Sequence, residues 1–130
     1  MRRQELFKEL NRLCEVLDFS YNINSGGCCL VAAIIAEQLE ESNIPFTVIH
    51  YDKYACHYAI RVKDRIINRS GYHYNEITSD KMLSSEELYD IYLDKLEDGY
   101  WNSCYNRQKN LIVRTKISVL FKKYNGNKRK

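Results

Sequence analysis

The chain has 130 residues, with 20 Lys and Arg against 17 Asp and Glu for a net charge of +3. That length suits a single domain over residues 1–130 with its own hydrophobic core, so folding needs neither a structural metal nor a disulfide framework. Hydrophobic residues make up 45% and charged residues 28%, no apolar run reaches the roughly 18 residues of a membrane span, and Met1-Arg2-Arg3-Gln4-Glu5 leads into an amphipathic segment, so neither a membrane-spanning helix nor a secretory leader is expected.

Residues 3–18 set Leu6, Phe7, Leu10, Leu13, Cys14 and Leu17 at helical spacing, which predicts an amphipathic helix with Cys14 as a small buried hydrophobe. Residues 20–27, Ser-Tyr-Asn-Ile-Asn-Ser-Gly-Gly, read as a loop. Residues 28–42 predict a second helix whose first turns are apolar all round, so it belongs at the centre of the fold. It stops near Ser42-Asn43, ahead of Pro45.

Residues 46–51, 56–62 and 65–69 read as strands, the last two joined by a tight turn at Lys63-Asp64. On the middle strand Cys56, Tyr58, Ile60 and Val62 share one face, and His57, Ala59 and Arg61 the other. Residues 70–83 read as irregular; Ser84 or Ser85 then caps a helix to about 97, with Glu86 and Glu87 in its first turn. A last helix is predicted over 103–124, with Leu111, Ile112, Ile117, Leu120 and Phe121 among its apolar positions. The expected class is α+β: a central Cys-bearing helix packed on a small antiparallel sheet, with flanking N- and C-terminal helices.

Five cysteines, Cys14, Cys28, Cys29, Cys56 and Cys104, are an odd number without C-x-x-C spacing. Disulfides and a zinc site are both disfavoured, and a reducing, cytoplasmic location is expected. Lys122, Lys123, Lys128, Arg129 and Lys130 concentrate the positive excess in a solvated tail, so a nucleic-acid partner is disfavoured.

The feature that carries chemistry is Gly26-Gly27-Cys28 at the start of the apolar helix. Free N–H groups and the positive end of the helix dipole stabilise a thiolate there. The two glycines permit a sharp turn and close approach of a substrate. Acids sit at the other end, in Glu37, Glu40 and Glu41. If the turn at 63–64 holds two residues, Val62 pairs with Arg65, Ala59 with Asn68, and His57 with Ser70. Asn68 then becomes a diagonal neighbour of His57, about 7–8 Å away between Cβ atoms. His57 could take the thiol proton, and Asn68 could fix the ring by accepting from or donating to its second nitrogen. Cys29 is the alternative thiol one residue on, more simply structural, and His73 is the reserve base. His50 reads as a packed residue of its strand. Tyr72, Tyr74 and Trp101 are candidate cleft aromatics.

The order Cys, His, Asn resembles the papain-like cysteine peptidase superfamily, and more closely its compact transglutaminase-like branch. Gly27-Cys28-Cys29, Ala32-Ala33, Leu39 and Asn43-Ile44-Pro45-Phe46-Thr47-Val48 are similar to the Cys-bearing helix running into a Gly-Ile-Pro strand start. His57-Tyr58-Ala59-Ile60-Arg61-Val62 and Ile66-Ile67-Asn68-Arg69-Ser70-Gly71 resemble the strands with the second and third catalytic residues. Asn68 stands where that branch has Asp, and Asn43 where it has Gly.

The resemblance implies Cys28 as nucleophile, His57 as base and Asn68 as orienter, with Asn22 and the Cys28 backbone N–H as oxyanion-hole donors. It implies a thiol hydrolase or acyl transferase acting on a peptide or protein substrate, with Gly26 and Gly27 against the substrate and no cofactor. The alternative is an inactive member of the fold, serving as a binding or structural subunit.

Overall fold

Leu6, Phe7, Leu10, Cys14 and Leu17 form the buried stripe of the first helix, α1 (Arg3–Tyr21), in a computed structural model that describes residues 1–21, 23, 28–51, 57–68, 77–97 and 107–128. The second helix, α2 (Cys28–Glu41), is buried at every position from Cys28 to Ala36 and again at Leu39. A helix apolar on all sides needs partners on all sides. It packs against β2 (His57–Val62), α3 (Ser85–Glu97) and α4 (Arg107–Lys128). The remaining strands are β1 (Thr47–Tyr51), β3 (Arg65–Ile67) and β4 (Ile77–Lys81). The class is therefore α+β: among the described residues, four helices and one four-stranded antiparallel sheet of order β3-β2-β1-β4. No helix among them is long and apolar enough to cross a membrane.

The end of α2 explains the Asn at position 43. Ile44 N–H bonds the Leu39 carbonyl at 2.9 Å and Asn43 N–H bonds the Glu40 carbonyl at 3.1 Å, with Asn43 at φ 57°. These are the two bonds of a Schellman cap, whose first residue beyond the helix must be left-handed. Glycine does this at no steric cost, and Asn is the next most tolerant residue. Ile44 and Leu39, both buried, supply the hydrophobic contact that accompanies the motif.

The hairpin is closed by Lys63-Asp64 with Lys63 at φ 54°, and the register is Val62↔Arg65, Arg61↔Ile66 and Ile60↔Ile67. A positive φ at the first turn residue matches the right-handed twist of two-residue hairpins. The pairing is the one the even-numbered turn requires. It stops at Ile67, short of the expected residue 69, because Asn68 adopts φ 63° and leaves the strand line.

The expectation for residues 70–83 needs correction, since 77–81 form β4 and pair with β1, with a bulge between His50 and Tyr51. Ile77-Thr-Ser-Asp-Lys is a polar strand at the edge of the described sheet, and its charges hide its periodicity. Asp80 accepts from Arg61 Nε at 2.7 Å and from Thr47 Oγ1 at 3.2 Å, tying β4 to its neighbours. The stripe of α4 also differs from expectation: Val113, Ile117, Phe121 and Tyr124 are buried, whereas Leu111 is 64% exposed.

One face of the sheet (Val48, Tyr58, Ile60, Val62, Ile67) joins the helices in the main core. Ile49 and Ala59 form a smaller cluster on the other face, with Ile66 packed against it.

Candidate functional site

Cys28 is the first residue of α2 and 0% exposed, with no acidic residue in the helix's first turn. An anion at that position meets the positive end of the dipole without competition from a neighbouring carboxylate. The acids at the opposite end all face other partners or solvent. Glu40 accepts from Ser85 N–H at 2.9 Å and from Ser85 Oγ at 2.5 Å. Glu37 accepts from Tyr89 Oη at 2.9 Å and lies 3.9 Å from the Arg114 guanidinium. Burial, with the bond to Glu37, pushes the Tyr89 hydroxyl up to about 12, so it remains a donor.

The neighbouring thiols are occupied differently. Cys29 Sγ donates to the Leu88 carbonyl of α3 at 3.3 Å, which holds it in the core as a structural residue. Burial, reinforced by Asp18 and Glu15, pushes the Cys14 thiol up to about 12, which leaves it protonated and inert. Cys56, Cys104, His73, Tyr72, Tyr74 and Trp101 lie outside the described residues, as do Asn22, Gly26 and Gly27.

His57 opens β2 and is 0% exposed. By strand alternation it shares the parity of Ala59, on the sheet face away from the main core to which Cys28 belongs. Its Nε2 lies 2.8 Å from the backbone carbonyl oxygen of Asn68. A carbonyl can only accept, so Nε2 carries the proton and Nδ1 carries the lone pair of the neutral ring. Burial pushes the imidazole down to about 4, against the opposing pull of the Asn68 carbonyl and the Asp18 carboxylate. The ring is therefore neutral at pH 7, with Nδ1 as its basic atom.

The structure thus brings His57 and Asn68 together, as the hairpin register requires, but through the backbone of Asn68. Its left-handed conformation turns the carbonyl onto the ring. His50 behaves as a sheet residue: it stacks on Tyr58 with ring centroids 4.4 Å apart, and its Nδ1 accepts from Lys81 Nζ at 3.4 Å.

Two residues near His57 carry no motif in the sequence. Asn11 bonds the backbone at both sides of Ile67, accepting from Asn68 N–H at 3.0 Å and donating to the Ile66 carbonyl at 3.0 Å. Asp18 acts on the imidazole electrostatically. Phe7, Asn11, Cys14 and Asp18 follow helical spacing of four, three and four along one line of α1. Polar residues on a line that is otherwise buried were the available signal.

Cavities of about 480 Å³ (Arg3, Phe7, Lys63, Arg65), 550 Å³ (Glu40, Ile44, Phe46, Met82) and 390 Å³ (Arg61, Asp80) open at the far end of the sheet from His57. Among the described residues no group of three His, Cys, Asp or Glu converges as a metal-ligand set. No protein-family model matches the chain, and no curated protein or solved structure matches it either.

Proposed function

We propose that the chain is a thiol-dependent hydrolase or acyl transferase acting on a peptide or amide bond, with a papain-like, compact transglutaminase-like core. The observation that carries this reading is the buried neutral imidazole of His57, bonded at Nε2 to the Asn68 carbonyl. That bond leaves Nδ1 basic, at the first residue of a strand whose other face (Tyr58, Ile60, Val62) packs in the core with the helix opened by Cys28. The reading requires Cys28 Sγ and His57 Nδ1 to meet at the end of β2.

The thiol proton passes to Nδ1 as sulfur attacks the carbonyl carbon. The resulting oxyanion is received by the Cys28 backbone N–H and the Asn22 side-chain amide. Collapse expels the amine, which takes the proton from His57, and leaves a thioester on Cys28. Water or an amine, deprotonated by the same nitrogen, resolves the thioester and frees the thiol. Because burial keeps His57 neutral above about pH 4, the imidazole acts as a neutral base.

Iodoacetamide labelling across a pH series, with the labelled residue mapped, tests the reading. Selective alkylation of Cys28 with an apparent pKa well below the ordinary thiol value of about 8.5, lost in Cys28→Ser and retained in Cys29→Ala, is expected. Slow and unselective labelling supports the second reading, a binding or structural subunit that keeps the scaffold only. The complete burial of both Cys28 and His57 is the observation that favours that alternative.

A further inference from the structure

We propose that Asn11 is a positioning residue for His57, acting through the backbone of Asn68. The inference rests on the reading of His57 as the base, and its chemistry follows from the hairpin. In a two-residue hairpin the residues flanking the turn exchange both backbone bonds, and bonded and non-bonded pairs then alternate. Val62↔Arg65 and Ile60↔Ile67 are the bonded pairs, so Ile66 and the position after Ile67 direct their backbone groups outward from β2. Among the described residues β3 is the edge of the sheet, and no described strand receives those groups.

Asn11 does. Its amide donates to the Ile66 carbonyl and accepts from Asn68 N–H, each at 3.0 Å, so one side chain stands in for a strand residue of parallel sense. A primary amide is the side-chain group that offers a donor and an acceptor with the spacing of a peptide unit. With its N–H pinned to α1, the left-handed residue 68 holds its carbonyl at His57 Nε2. The chain of contacts is α1 to Asn68 N–H, Asn68 C=O to Nε2–H, and hence Nδ1 as the lone-pair nitrogen. Asn11 touches neither the imidazole nor a reacting atom, and it selects which ring nitrogen is the base.

Nitrogen-15 NMR of the His57 ring and hydrogen exchange of the Asn68 amide, both on the full chain, test this. The wild type should show a protonated Nε2, an unprotonated Nδ1 and a slowly exchanging Asn68 amide. In Asn11→Ala the ring shifts should move toward a mixture of tautomers, and Asn68 exchange should accelerate about tenfold or more. Asn11→Asp keeps the acceptor for Asn68 N–H and should restore its protection and the Nε2–H tautomer.

A folded Asn11→Ala protein with unchanged ring shifts and unchanged Asn68 exchange overturns the proposal. So does a wild-type Asn68 amide that exchanges as fast as an open loop, a measurement that needs no variant. Selective Cys28 labelling beside an Asn11-independent ring would leave the enzyme reading standing and remove this one. An Asn11-dependent ring beside unselective labelling would do the reverse.

Discussion

Where α2 meets α3 and α4, the carboxylates of Glu37 and Glu40 take bonds from Tyr89 and Ser85 at a half-exposed junction. Where α1 meets β3, an imidazole with no exposed surface is bonded to a carbonyl that a side-chain amide holds in place. The first cluster keeps its ionisable groups at the water's edge, where charge is inexpensive, and it ties helices together. The second places a titratable ring where its charged form is penalised. An apolar residue would fill that position with less risk to the fold, so the buried ring marks the region to search for chemistry, and the helix junction marks architecture.

The sharpest way to break that contrast is acid. His57 binds its proton near 6.5 in the unfolded chain and near 4 in the folded one. Below 6.5 the unfolded chain therefore binds more protons, and stability falls as pH drops from about 6.5 to about 4 and levels off beneath that. The full loss is about 3 kcal/mol for a shift of this size, and none of it is present above pH 6.5. Urea titrations at half-unit pH steps should trace this slope, and His57→Gln, which keeps a donor for the Asn68 carbonyl but does not titrate, should flatten it. A slope unchanged in His57→Gln would assign the acid sensitivity to other groups.

Glu40→Gln should cost less, about 1 kcal/mol in a urea midpoint series. Glu40 caps α3 from outside, alongside the capping box in which Ser84 Oγ accepts from Glu87 N–H and Glu87 Oε1 from Ser84 N–H, both at 3.1 Å. The box survives the substitution, which bounds the loss. Because the junction is partly exposed, the difference should shrink in high salt, whereas the His57 slope should not. Equal salt dependence would erase the distinction between the two regions.

What could be read from residue order follows the same division. The core helix is readable because Cys28 to Ala36 is apolar without a break. The Val62↔Arg65 register is readable because a two-residue turn admits one pairing. β4 was not readable, since Asp80 and Lys81 are exposed on an edge of the described sheet, where burial imposes no pattern. The approach of Asn68 to His57 was readable from register, but the use of its carbonyl was not. Side-chain type gives no sign that a residue will be left-handed and contribute its backbone. Asn11 is illegible for a related reason, because a lone helix Asn carries no spacing rule, and its partners lie 55 and 57 residues away.

The smallest effect separates two asparagines that share a conformation. Asn43 at φ 57° is exposed and closes a helix, and Asn68 at φ 63° is 2% exposed and closes a strand against the candidate base. Left-handed geometry favours glycine at both, by less than about 1 kcal/mol once the added freedom of the unfolded chain is set against it. Asn43→Gly should therefore raise the urea midpoint slightly, since its side chain reaches solvent. Asn68→Gly should lower it, because the same backbone relief is outweighed by the loss of a buried polar side chain. Opposite signs at matched φ would show that conformation alone does not choose the residue at 68. A gain at both positions would mean that Asn68 serves through its carbonyl only, and that any left-handed residue held by Asn11 could take its place.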